Sequence, residues 1–214
     1  MKKWLVPSLA AALLAACSSD QISKSDVQDA LEHSAKNSVC VPVRLNVEHR
    51  APNEDVAQSQ LGMPEVRLLK RLDNGKRANP KAVEQMDILV NAGIYEEAKG
   101  ERIGEGDHAI RYLVYRLTDK GRESFSLSPH GAWLCIGKQR VEKIHYFTEP
   151  TPANGITISQ VSYQAEIQTE RWARKLLRDN PHYAGLEQSL NKKITLVKTN
   201  EGWRDVRELR RGPY

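Results

Sequence analysis

The sequence predicts an α+β protein, with a mainly helical N-terminal half followed by an antiparallel sheet of about four strands with one crossing helix. Apolar residues recur at helical spacing in several segments before residue 93, whereas alternating apolar segments joined by short turns dominate after residue 131. Strands joined by hairpins rather than by helical crossovers favour α+β over α/β. The 214 residues suit one domain, and we expect residues 26–207 to form one compact unit.

The N-terminus has the composition of a targeting signal. Lys2 and Lys3 precede an apolar run over residues 4–16, which has the length of a signal-peptide core. The run is too short to span a bilayer, which needs roughly 20 apolar residues. Such a run fits a signal peptide with acylation of the cysteine that follows it, a plain secretory signal, or a buried apolar helix that ends in Cys17.

The residues Leu14-Ala15-Ala16-Cys17 closely resemble the lipobox of bacterial lipoproteins. The resemblance implies that residues 1–16 are a signal peptide and that the Cys17 thiol is acylated. The polar composition that follows predicts a tether over residues 17–25. Ser18, rather than Asp, after the cysteine implies an outer-membrane lipoprotein, which we expect to face the periplasm. Three acyl chains would anchor it durably, since one chain binds only marginally.

Two cysteines remain once Cys17 is assigned to lipid, namely Cys40 and Cys135. An even remainder in the oxidising periplasm predicts one disulfide between them. Two buried free thiols are the alternative. Neither cysteine has a nearby cysteine or histidine at metal-ligand spacing, so we expect no metal site there.

The N-terminal half, residues 26–130, is expected to contain three helices and two strands. A helix over residues 26–35 begins at Ser25 with a capping box. Alternating valines and a leucine predict a strand over residues 39–47. Pro64 begins a short helix to residue 72, and Asn79-Pro80 begins another to residue 92. A strand follows over residues 109–117.

The segment from residue 80 to residue 125 resembles the end of a winged-helix domain, in which a helix precedes a β-hairpin wing. The resemblance rests on these residues of the closing phrase: Tyr115, Leu117, Thr118, Lys120, Gly121 and Arg122. It implies a wing-like hairpin, but no basic recognition helix precedes it. The helix over residues 80–92 has one lysine and two acids, whereas a DNA-reading helix is basic.

Charge also speaks against a nucleic-acid partner. Loss of the two lysines of residues 1–16 would lower the formal net charge from +5 to +3. That is a weak excess for a nucleic-acid-binding chain, and an envelope location separates the protein from genomic DNA. We therefore expect no nucleic-acid partner.

The β-rich half is expected over residues 131–207. It contains predicted strands over residues 132–138 and 141–148 around a turn at Gly137, and a long strand over residues 156–167. Thr169 is expected to cap a helix over residues 170–178, and a hairpin joins strands 192–198 and 203–206. We expect residues 208–214 to form a loose basic tail.

No known catalytic motif and no metal-ligand spacing occurs, so the sequence predicts no catalytic residue, no metal and no cofactor. The three tryptophans of the β-rich half are predicted core or half-core anchors, namely Trp133, Trp172 and Trp203. Alternatively, Trp133, Tyr163 and Trp203 form a ligand- or partner-facing surface of the sheet. The glutamates that could line a cleft are Glu142, Glu149, Glu166 and Glu170.

These observations favour a non-enzymatic binding or adaptor protein, which is anchored to the outer membrane by its acyl chains and binds an envelope protein. One alternative is a small-ligand-binding module whose sheet is lined by the three aromatic residues. The other is an enzyme, or an enzyme inhibitor, that acts on cell-wall carbohydrate through two of the four glutamates.

Overall fold

The structure is a computed structural model that describes residues 21–36, 38–52, 54–106, 109–129 and 131–209. The helices in these ranges are α1 (Lys24–Ala35), α2 (Pro80–Asn91), α3 (Asp119–Glu123), α4 (Arg171–Leu177) and α5 (Val206–Leu209). The strands are β1 (Ser38–Val41), β2 (Glu65–Leu69), β3 (Lys99–Ile103), β4 (Ile110–Arg116), β5 (Phe125–Ser128), β6 (Gly131–Phe147), β7 (Thr151–Ala153), β8 (Ile156–Thr169), β9 (Leu190–Thr199) and β10 (Gly202–Asp205).

The predicted fold class is wrong, because the described chain is mostly β. Seven strands form one antiparallel sheet in the order β1-β6-β8-β9-β10, with β5 beside β6 and β7 beside β8. Three further strands form a small sheet in the order β2-β4-β3. The half predicted as mainly helical, residues 26–130, therefore contains five strands, and the large sheet has seven strands instead of about four.

The segment predicted as a helix over residues 64–72 contains strand β2 instead. Val66, Leu68 and Leu69 occur at spacings that also fit a helix, but β2 pairs with β4 over five residues. Val66 and Leu68 are buried two residues apart, as on one face of a strand. Arg67 lies between them and binds Glu65 and Glu101, at 2.8 Å and 3.5 Å. Pairing with β4 outweighs the local helical pattern.

The two strands predicted on either side of Gly137 are one strand of 17 residues, β6. Gly137 is required by close packing rather than by a turn. A Cβ atom added there would lie 2.1 Å from the backbone oxygen of Gln168 on β8. Strand β6 bends at two irregularities instead, between Val141 and Lys143 and between Ile144 and Tyr146.

Helix α1 covers one side of the large sheet. Its N-cap is Ser23 rather than the predicted Ser25, and Ser23 and Asp26 form the capping box. Val27, Ala30 and Leu31 are its buried side. They join a core cluster with the following sheet residues: Val161, Tyr163, Ala165, Ile194, Leu196 and Trp203.

A second core joins both predicted halves of the chain. Leu134 and Ile136 of β6 pack with residues of β2, α2, β4 and α4. Helix α2 matches its prediction closely, and α4 begins one residue later than expected. The N-cap of α4 is Glu170. Thr169 was expected to cap this helix, but its Oγ1 atom is buried and has no hydrogen-bond partner among the described residues.

The hairpin implied by the winged-helix resemblance is present as β3 and β4. Between β1 and α2, however, the described residues contain only a 3-10 turn and β2, so no helix-turn-helix precedes α2. Two residues of the matching segment, Thr118 and Lys120, form hydrogen bonds with the backbone at the C-terminal end of α2. Thr118 Oγ1 donates to the Gly93 oxygen at 2.7 Å, and Lys120 Nζ donates to the Ala92 oxygen at 2.6 Å. The phrase is thus a packing element.

A disulfide joins Cys40 of β1 to Cys135 of β6, the pair that the cysteine count predicts. The strand predicted over residues 39–47 is shorter than expected, because β1 ends at Val41, just before Pro42. Beyond it, Val43, Leu45 and Val47 still pack against the second core. Strand β1 therefore covers only the first part of β6.

Candidate functional site

The main candidate site is a groove between α1 and strand β6. It is lined by Lys24, Gln28, Glu32, Ala35 and Lys36 on the helix side, and by residues 138–144 and Gln168 on the sheet side. Its volume is about 590 Å³. We call it the α1–β6 groove.

The helical wall arises from the sequence of α1. Residues 24, 28, 32 and 36 follow one another at the i, i+4 spacing, so they form a stripe along one side of the helix. The buried stripe of Val27, Ala30 and Leu31 holds the helix on the sheet. The polar stripe is therefore held beside β6, where Gln28 donates to Glu32 at 2.8 Å.

Positive charge dominates the groove. Five of its lining side chains are cationic and two are carboxylates. Arg140 binds Glu166 at 2.8 Å and Glu142 at 3.5 Å, so its charge is compensated within the sheet. Four lysines, Lys24, Lys36, Lys138 and Lys143, form no ion pair or side-chain hydrogen bond with any residue that the structure describes. In the part of the chain that the structure describes, they are the cations of the groove that no ion pair neutralises.

Gln139 connects the groove to a polar cluster on the sheet. Its Nε2 atom donates to the Tyr163 hydroxyl at 3.3 Å, and Lys192 Nζ donates to its Oε1 atom. Burial lowers the pKa of Lys192, and the nearby charge of Arg207 lowers it further. Gln139 is thereby held in one orientation at the sheet side of the groove.

The far end of α1 is fixed by Asp205, which is almost fully buried. Burial alone would raise the pKa of Asp205, but hydrogen bonds from Arg207 and its charge outweigh that effect and lower the pKa. The guanidinium donates to Asp205 Oδ2 from Nη2 at 2.6 Å and from Nε at 3.0 Å. Ser34 of α1 donates to the same oxygen at 3.4 Å. The carboxylate thus links α1, β10 and α5.

The three aromatic residues of the predicted ligand or partner face do not come together. Tyr163 and Trp203 are 2% and 6% exposed and belong to the core beneath α1. Trp133 is 36% exposed and lies near the start of β6, beside Ser126 of β5. Trp203 is therefore a core residue, as predicted, and Trp172 is partly buried against the second core, but no common aromatic surface forms.

Two of the four candidate glutamates lie close together, because both form an ion pair with the guanidinium of Arg140. Glu142 and Glu166 both bind Arg140, and Ser189 also donates to Glu142. This is a partly exposed ion-pair network on the sheet. Glu149 lies in the loop after β6, and Glu170 is the N-cap of α4.

Three further sequence predictions concern the acylation site, metal ligands and membrane-spanning segments. Cys17, the residue expected to be acylated, lies outside the described residues. Among the residues that are described, no group of three metal-ligating side chains is brought together. None of the described helices is both long enough and apolar enough to cross a bilayer.

The sequence alone does not show that the four groove lysines lie together, and the reason is physical. The pattern predicts that a strand ends at Lys138, because Gly137 interrupts the alternation of β6. Lys24 and Lys36 lie at the ends of α1, where isolated lysines are ordinary. Only the long strand and the docked helix bring the four residues to one groove.

Comparison of the chain with protein-family models, with curated proteins and with solved structures finds no match.

Proposed function

We propose that the chain is a non-enzymatic lipoprotein of the outer membrane that binds an anionic segment of an envelope protein in the α1–β6 groove. One observation carries the proposal. Lys24, Lys36, Lys138 and Lys143 line the groove, and no described residue forms an ion pair with any of them. Clustered charges of one sign attract and orient partners of the opposite sign.

The predicted anchor supports the same site. Lys24 lies seven positions after Cys17 in the chain, so the two residues are at most about 25 Å apart even when the chain is fully extended. Acylation of Cys17 would therefore keep the Lys24 end of the groove close to the membrane surface. A partner segment that lies in or near the outer membrane is within reach of such a site.

The two alternative functions receive less support from the geometry. A small-ligand module would need the three aromatic residues on one open surface, but two of them are buried. A carbohydrate-active site would need two carboxylates that are available to a substrate. Glu142 and Glu166 instead share the guanidinium of Arg140, and the second groove carboxylate, Glu32, accepts a hydrogen bond from Gln28.

The test is affinity purification of the full-length protein from lightly cross-linked cell envelopes. Three proteins are compared: the wild type, K138E/K143E, and the control K76E/K175E. The control reverses the same number of charges at two exposed lysines outside the groove. Mass spectrometry of the co-purified proteins and of the N-terminal peptide reads out the partner and the acylation of Cys17 together.

We expect one envelope protein to co-purify in stoichiometric amount with the wild type and the control, and to be lost from K138E/K143E. Equal recovery from all three proteins would refute the groove as the binding site. Recovery of anionic lipid in place of a protein, sensitive to the same two substitutions, would refute a protein partner and assign the groove to lipid headgroups. An unmodified Cys17 would refute the anchor.

A further inference from the structure

Strand β6 has an open edge beside the α1–β6 groove. On one side it pairs with β5 over residues 131–134 and with β8 over residues 137–147. On the other side, β1 pairs only with residues 134–138. No other strand of the described chain pairs with that side, so residues 139–147 have one unpaired edge.

An open strand edge offers backbone hydrogen bonds to an extended peptide. Alternate residues of β6 direct their N–H and C=O groups away from β8, toward the open side. Residues 139–147 span roughly 25 Å at the usual rise of a strand. A peptide that adds there would lie in line with β1, next to the groove wall formed by α1.

From these features we infer that the partner segment binds as an added β-strand, along the open edge of β6 between residues 139 and 144. This inference rests on the proposed function, because it specifies how the partner occupies the same groove. Main-chain hydrogen bonds supply affinity in this mode, and side-chain contacts supply specificity. Every second side chain of the added strand faces the polar stripe of α1.

Charge selects an acidic segment of a partner over a second copy of this chain. Two copies that paired edge to edge would bring Lys138 and Lys143 of one copy close to the same two lysines of the other copy. Like charges in adjacent strands are destabilising. An acidic strand meets the same lysines favourably, so the residues that oppose self-association also favour the partner.

The two irregularities of β6 limit the length of the added strand. They interrupt its register between Val141 and Lys143 and between Ile144 and Tyr146. Bulges of this kind disfavour long, flat pairing and the aggregation that follows from it. The first irregularity lies inside residues 139–144, so a short added segment pairs regularly with residues 139–141 and follows the bend of β6 as far as Ile144.

The probe is a short synthetic peptide of alternating glutamate and valine, and amide hydrogen exchange of the protein is measured with and without it. A matched peptide has the same sequence but carries N-methyl groups on alternate residues, which block strand pairing and keep the charge. A third peptide replaces glutamate by lysine. K138E/K143E and K76E/K175E are measured with the first peptide.

We expect the first peptide to slow exchange at residues 139–144, and the methylated and lysine peptides to leave it unchanged. Binding should weaken about tenfold or more in K138E/K143E and stay the same in K76E/K175E. Equal binding of the methylated peptide would overturn strand addition and leave charge recognition, the proposed function, standing. Absence of binding by the acidic peptide, or salt-resistant self-association of the protein through residues 139–144, would overturn the inference.

Discussion

Removal of the Cys40–Cys135 disulfide should destabilise the protein strongly, because the bond closes a long loop. The two cysteines are 95 residues apart in the chain. A loop of that length restricts the unfolded chain by about 4–5 kcal/mol in the chain-entropy model. The change is Cys40→Ser with Cys135→Ser, made in a chain that also carries Cys17→Ser so that no other thiol is present.

Urea unfolding, followed by tryptophan fluorescence, measures the effect. With an m-value of about 2 kcal/mol per M, the midpoint should fall by about 2 M. A reductant should lower the midpoint of the disulfide-bonded parent by the same amount and should leave the double variant unchanged. A loss below about 1 kcal/mol, or a parent that ignores the reductant, would refute the reasoning.

Three further predictions follow from the packing around α1 and β6. Leu31→Ala, which empties a fully buried position beneath α1, should lower the free energy of unfolding by about 2–5 kcal/mol in denaturant titrations, whereas the exposed Gln28→Ala should leave it nearly unchanged. The pKa of Asp205 is lowered from 3.8, so the ionised carboxylate stabilises the fold above about pH 4, and this contribution disappears as the pH falls through the folded pKa. In thermal unfolding across that pH range, the wild type should therefore lose stability on acidification more steeply than Asp205→Asn. Burial raises the pKa of Tyr95 and that of Tyr115 to about 12, so the free energy of unfolding should fall as the pH rises from 10 toward 12. The free energy of unfolding of Tyr95→Phe should fall less steeply over the same range. Identical alkaline profiles for the wild type and the variant would contradict this assignment.

Local signals predicted the elements whose ends are set by local chemistry. Pro80 at the first turn and Gly93 after the last turn delimit α2, and the helix runs from residue 80 to residue 91. The turn at residues 199–202 between β9 and β10 is predictable for the same reason. Such boundaries depend on neighbouring residues and are visible in one sequence.

Long-range pairing decided the elements that were predicted wrongly. Residues 65–69 form a strand because β4, more than 40 residues later, pairs with them in register. Gly137 reads as a turn residue in sequence, but the backbone of Gln168 comes so close that no side chain fits. Neither partner can be identified from periodicity, so the fold class shifted from α+β to mostly β.

The candidate site was inaccessible to the sequence analysis for a related reason. Residue type alone predicts an aromatic face of Trp133, Tyr163 and Trp203, but Tyr163 and Trp203 are core residues. The cations of the site are spread over about 120 residues of sequence, from Lys24 to Lys143. Docking of α1 and the uninterrupted course of β6 bring them together.

Photo-cross-linking in living cells tests the α1–β6 groove most directly. A photoreactive residue replaces Lys143 in the full-length protein, and in the matched control it replaces Lys76, which is exposed on the turn before α2. We expect the residue at position 143 to capture one envelope protein as a discrete adduct, which Lys138→Glu weakens, and the residue at position 76 to capture none of it. The same adduct from both positions, or no adduct from position 143 in a folded protein, would contradict the account.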